Sequence, residues 1–163
     1  MTDHPAPSDA ALALLKAYEQ GPDGGFSPVV YRCPAGKRTV GWGHVVRPGE
    51  SFQQPLTEVE ADRLLRDDLR ALAGPALAAV RVPLTQSMID ALACFAFNVG
   101  PAAFAGSTLL KKLNAGQYAA AAAELLKWDK ARDPKTGQRV ALAGLTRRRA
   151  AERALFAREG WPQ

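Results

Sequence analysis

The chain has 163 residues, 47% of them apolar and 23% charged, values that fit a folded globular protein and exclude a disordered one. Its 14 Gly and 12 Pro follow no G-X-Y period, which excludes a collagen-like chain. A formal charge of +5 suits an anionic partner (nucleic acid, a membrane surface or the bacterial wall) without choosing among them.

Residues 1–7, with two prolines and no basic n-region, read as a flexible leader, so neither a signal peptide nor a signal anchor is expected. No later run reaches the roughly 18 apolar residues of a membrane span, so stable membrane insertion is not expected either. Ser8 has the chemistry of an N-cap and starts a helix to about Glu19 or Gln20, with Leu12, Leu15 and Tyr18 as its apolar stripe. Gly21-Pro22-Asp23-Gly24-Gly25 ends it. Between residues 26 and 46 the pattern changes. Val29 to Tyr31 and Thr39 to Trp42 favour strands, joined by a turn over Cys33 to Lys37, and this small hairpin lobe is the one expected β region.

From residue 57 onward the chain reads as helical. Thr57 and Glu60 have the spacing of a capping box, and Pro75 is expected to interrupt the helix they start. Thr85 caps the next one, whose Met88, Ile89, Leu92, Ala93, Phe95, Ala96 and Val99 cover most of its circumference; such a helix belongs inside a bundle. Gly100 and Pro101 end it. Shorter helices are expected over 107–114 and 117–129, a polar loop over 130–143, and a basic helix from Leu145 to Arg158. No linker or repeat divides the chain, so 1–163 is read as one domain, with a helical lobe over 57–160.

Cys33 and Cys94 cannot build a disulfide scaffold, and no CxxC or His/Cys cluster offers zinc ligation, so neither a metal nor another cofactor is expected. Cys94 reads as a small apolar core residue. The polar groups of interest crowd into the first third: Glu19, Asp23, Cys33, Thr39 and His44. A carboxyl at a helix C-terminus faces the negative end of the helix dipole, which opposes its ionisation and suits general-acid work on a leaving oxygen. A hairpin facing that helix end would place Cys33 and Thr39 across a cleft. On these grounds alone, Glu19 as a merely solvated helix-end residue is the more common case.

The stretch Tyr31-Arg-Cys-Pro-Ala-Gly-Lys-Arg-Thr-Val-Gly-Trp-Gly-His44 resembles the hairpin of the phage-type lysozymes, glycoside hydrolase family 24. Leu56 to Ala61, Leu84 to Gln86, Phe95 to Gly100, Ser107 to Asn114 and Gly144 to Glu152 resemble the family's later segments in the right order. Several segments in order are far more specific than any one alone. The resemblance implies an α+β, mostly α, lysozyme-like fold: a small N-terminal β-hairpin lobe and a larger helical lobe with the cleft between them.

It also implies an endolysin, a muramidase hydrolysing the β-1,4 bond between N-acetylmuramic acid and N-acetylglucosamine in peptidoglycan, with inversion. Glu19 would be the acid, with Cys33, in a recognised variant of the Asp position, and Thr39 acting on water. His44 would brace the hairpin against Glu19, Asn98 would lie near the cleft floor, and Arg148 would pair with Glu19. Thirteen residues, 20–32, separate Glu19 from Cys33, more than the family pattern usually has. Asp23 is therefore the fallback acid.

A non-catalytic glycan-binding protein of the same fold and a lytic transglycosylase remain as alternatives. A nucleic-acid binder has no recognisable signature to support it. The resemblance further implies a monomer that waits in the host cytoplasm, depends on a holin for release, and then acts on the wall from the periplasm.

Overall fold

The fold is that of a computed structural model, which describes residues 4–162. Its elements run in the order α1 (Asp9–Tyr18), β1 (Ser27–Arg32), β2 (Arg38–Gly41), β3 (His44–Val45), α2 (Glu58–Ala78), α3 (Gln86–Val99), α4 (Pro101–Ala105), α5 (Thr108–Asn114), α6 (Tyr118–Leu125), β4 (Lys130–Arg132), β5 (Arg139–Ala141) and α7 (Ala143–Phe156). It is mostly helical with two small antiparallel sheets, one of three strands and one of two, the α+β, mostly α, architecture expected.

Helix α3 occupies the centre because every residue from Ser87 to Ala96 is buried, and α1, α2 and α7 pack around it. The cap residues do what their side chains dictate. Ser8, Thr85 and Ser107 each accept a backbone N–H in the first turn of their helix, and Thr57 and Glu60 form the reciprocal capping box. The start of α1 is tied to the core by Asp90 of α3, which is fully buried and accepts Ser8 N–H at 2.7 Å and Ser8 Oγ–H at 2.5 Å.

Several expectations need correction. The leader is held from His4 onward: His4 Nε2 lies 3.4 Å from the Val80 carbonyl, and the Ala6 carbonyl accepts Gln86 Nε2–H at 3.1 Å. Pro5 and Pro7 stiffen this stretch, so its tie-points are easily kept. Residues 1–3 of the leader lie outside the described residues. The first β region has three strands, because the chain turns at Trp42 and Gly43 and lays His44 opposite Val40. Pro75 does not interrupt α2. It and Ala71, whose carbonyl loses its donor, both sit on the exposed face, while Ala73, Ala76 and Leu77 stay in the core.

The segment expected as a loop contains a hairpin, β4–β5, in which Arg132 pairs with Arg139. Its turn is built by Asp133, whose carboxylate accepts the N–H groups of Lys135 and Thr136, with Gly137 at φ +70. Helix α6 stops at Leu125, short of the expected 129, and the chain then turns so that Trp128 meets Phe95 edge-on at 5.4 Å.

The sheet is fixed closely to α2. Gly41 has φ +63, and a Cβ there would lie 3.3 Å from the Ala61 Cβ, so only glycine lets strand and helix approach this far. Trp42 Nε1–H donates to Oδ1 of Asp62, the next residue of α2, at 2.8 Å.

Candidate active site

Glu19 caps the C-terminus of α1: its N–H donates to the Leu15 carbonyl at 2.8 Å, and its side chain leaves the helix end 22% exposed. Arg148 Nη1 donates to Glu19 Oε1 at 2.6 Å. On the other side the β2–β3 turn comes close, since a Cβ on Gly43 would lie 3.4 Å from Glu19 Oε2. A side chain there would crowd the carboxylate. The longer loop after Glu19 is absorbed locally: Gly21 N–H reaches the Gly25 carbonyl at 2.7 Å, and Gly24 and Gly25 take positive φ. Asp23, the fallback acid, lies exposed in this turn and makes no ion pair with any described residue.

The sheet supplies the facing wall. Thr39 is buried in β2, with Tyr31 opposite it on one neighbour and Val45 on the other. Cys33, half-buried just past β1, is held in a tight turn by its N–H to the Lys37 carbonyl at 2.9 Å. The backbone N–H of Lys37 is the largest influence holding the Cys33 thiol below its ordinary value, and the Thr39 hydroxyl and the Lys37 ammonium add to it. The single Thr39 hydroxyl proton can serve either the Lys37 carbonyl, 3.1 Å away, or the Cys33 sulfur. Burial first, then the charges of Cys33 and Glu19, push the Tyr31 hydroxyl up, so these three groups share one electrostatic environment.

His44 does not brace the hairpin against Glu19. Its Nδ1 meets Asp68 of α2 at 2.7 Å and its Nε2 meets Glu50 at 3.0 Å, while Arg47 bridges to the same Asp68 at 3.0 Å. The Asp68 carboxylate is the chief influence raising His44 above its ordinary value, against the opposing effect of burial. The strand pairing explains the difference: Val40 and His44 are partners, and this end of the sheet lies over the middle of α2.

Behind Glu19 lies a buried ionic network. Arg148 Nε donates to Glu152 Oε1 at 3.1 Å, and Arg149 Nη1 lies 3.1 Å from Glu152 Oε2. Arg149 Nη2 donates to Asn98 Oδ1 at 2.6 Å, so Asn98 contacts the network rather than Glu19 itself. The rings of Tyr18 and Phe95 lie under the Arg148 and Arg149 guanidiniums, 5.6 and 4.9 Å from centroid to carbon. Sequence reasoning missed Arg149 and Glu152. The available signal was their i, i+3 spacing, with Arg148 at i, i+4, but an exposed charged helix shows the same pattern. Among the described residues no group of His, Cys, Asp or Glu gathers as a metal site.

This carboxylate at a helix end, facing a glycine-rich sheet and held by an arginine of the last helix, leads to a glycosidase family. The phage lysozyme family matches residues 23–152, and the chain belongs to it. An endolysin of Acyrthosiphon pisum secondary endosymbiont phage 1 is 41% identical over 149 residues, covering 91% of this chain and 96% of the relative. An endolysin of Bacillus phage PZA is 40% identical over 151 residues; the match covers 91% of this chain but only 54% of that longer relative. Among solved structures, a muramidase domain from Asticaccaulis excentricus superposes with a TM-score of 0.81 at 35% identity, over 94% of this chain and 98% of that one.

Proposed function

We propose that the protein is an endolysin-type muramidase that hydrolyses the β-1,4 bond between N-acetylmuramic acid and N-acetylglucosamine, with Glu19 as proton donor. Family membership makes it a glycoside hydrolase of peptidoglycan. The observation that carries the residue assignment is the Arg148–Glu19 contact at 2.6 Å, which fixes one carboxylate oxygen and leaves the other at the Gly43 turn, facing the sheet wall.

In this reading Glu19 gives its proton to the glycosidic oxygen as the bond to the sugar's anomeric carbon breaks. Water attacks that carbon from the opposite face, its proton taken on the side of Cys33 and Thr39. The anomeric configuration therefore inverts. The Cys33 thiol, held below its ordinary value, takes the place of the more common carboxylate, and Thr39 orients the water through its lone pairs. Hydrolysis adds one water to the products, whereas a lytic transglycosylase would leave an anhydro sugar of lower mass, so mass spectrometry of the fragments separates the two.

Glu19→Gln is expected to fold normally and to lose activity by about 100-fold or more. A turbidity assay on permeabilised Gram-negative cells reads this directly. Near-wild-type lysis would remove Glu19 from the mechanism and bring Asp23→Asn forward. The protein is further proposed to act as a single-domain monomer. Among the described residues no helix is long and apolar enough to cross a membrane. Access to the wall through a holin lesion is part of the same proposal.

A further inference from the structure

Three charges buried side by side on α7 call for a reason that stability does not supply. Arg148 is 5% exposed, and Arg149 and Glu152 are fully buried. Ions removed from water rarely stabilise a fold more than apolar groups of the same volume. The pairing here is also imperfect: among the described residues Arg149 Nε has no hydrogen-bond partner, and Arg149 Nη1 and Glu152 Oε2, 3.1 Å apart, meet as an ion pair without hydrogen-bond alignment. What the trio does achieve is geometric. Glu152 holds Arg148 through Nε, and the Cys94 carbonyl receives Nη2 at 3.5 Å, which leaves Nη1 directed at Glu19.

We propose that Glu152 and Arg149 are positioning residues that balance the charge behind Arg148, and so set the pH at which Glu19 gives up its proton. The proposal rests on the reading of Glu19 as proton donor. Two guanidiniums and one carboxylate present a net charge of +1 to Glu19. Removing the Glu152 charge leaves +2, which favours the ionised Glu19; removing the Arg149 charge leaves zero, which favours the protonated one.

The other groups around the trio leave this count unchanged. From α3, burial pushes the Cys94 thiol far up, so it stays neutral, and Asp90 is bonded to Ser8 and Gln86. From α1 there is Tyr18, a ring contact. From the sheet, the raised Tyr31 hydroxyl is neutral, and the Cys33 thiol, the one titrating neighbour, is the same in every variant below. Burial is the chief influence raising Glu152 above its ordinary value, and the two guanidiniums 3.1 Å from its oxygens oppose that rise and face it as a carboxylate.

The test follows the Glu19 side-chain carboxyl by carbon NMR in the full chain labelled with 13C-glutamate, the resonance being assigned by its loss in Glu19→Gln. The pH profile of kcat/KM on purified peptidoglycan is measured alongside. Glu152→Gln is expected to lower the Glu19 midpoint and the alkaline limb of activity by about one pH unit, the effect of a unit charge roughly 7 Å away at an effective dielectric between 20 and 40. Arg149→Gln is expected to raise both, and the double variant to restore the wild-type position.

A structural role would lower activity at every pH and could not produce shifts of opposite sign. Shifts of the same sign, or none, overturn the proposal. Should Arg149→Gln fail to fold by circular dichroism, Asn98→Asp places a negative charge on the same arginine from an exposed position. It should raise the midpoint by a smaller amount, and an unmoved midpoint overturns the proposal equally. Full activity in Glu19→Gln would defeat the proton-donor reading alone, because the NMR midpoint measures the charge balance without reference to catalysis.

Discussion

The molecule holds two antiparallel sheets built in contrasting ways. In β1–β2–β3, residues Ser27, Thr39, Val40, Gly41 and His44 are buried, and Ala61 and Asp68 on α2 receive the strands. In β4–β5 no residue is buried, and two arginines face each other directly across the pair, an arrangement that costs stability. Both pair antiparallel through the backbone. What differs is attachment, and only the attached sheet can hold a hydroxyl or a thiol at a fixed distance from a helix-borne carboxylate.

Substitutions can break this contrast in order of decreasing effect. Cys33→Ala should cost about 10-fold to 100-fold in lysis, while Cys33→Asp should match or exceed the wild type and Cys33→Ser fall between, since a carboxylate is available in its ionised form at neutral pH to a greater extent than a thiol. Full activity in Cys33→Ala, with the fold intact by circular dichroism, would make Cys33 a turn residue only.

His44→Gln should cost about 1–3 kcal/mol, the range for breaking a buried charged hydrogen bond. The sign of its pH dependence follows from a value raised in the folded state. The stabilisation is complete below about pH 6.5, the unperturbed histidine value, and is lost as pH rises through the raised one. Urea titrations should therefore show wild type and His44→Gln converging as the pH rises above the raised histidine value, and a constant gap would contradict the pairing.

Gly41→Ala should lose about 1–2 kcal/mol, because an alanine must adopt φ +63 and press against Ala61. A melting temperature unchanged within error would mean the strand can move away from α2. On the unattached sheet, Arg139→Thr should change stability by only about 0.5 kcal/mol or less and in the stabilising direction, by removing the like-charge pair. The same change should flatten the salt dependence of wall binding, since exposed cations act through screened fields.

The sequence discloses these regions unequally, for physical reasons. Capping residues announce themselves locally, so Ser8, Thr57, Thr85 and Ser107 mark their helices without tertiary information. The all-round apolar surface of α3 likewise marks the centre. The attached sheet was legible through its glycines and the ordered motif around Thr39 and His44. The β4–β5 strands were not, because three residues are too few for an alternation to stand out. Pro75 misled because its cost depends on which face of the helix it occupies. For the candidate site, Glu19, Cys33, Thr39 and Arg148 could be named from the chain, and the structure brings Arg148 to Glu19. The wrong partner for His44 and the unseen roles of Arg149 and Glu152 share one cause: burial of a charged side chain is decided by the whole fold.

The Arg148–Glu19 contact joins residues 129 positions apart. At about 5–20 residues per second of synthesis, the carboxylate proposed as proton donor emerges from the ribosome many seconds before its guanidinium partner exists. A nascent or stalled chain thus carries the hairpin groups without an oriented acid, and only a chain whose last helix has been made and docked can act. Synthesis and docking of α7 become the arming step of the proposed acid.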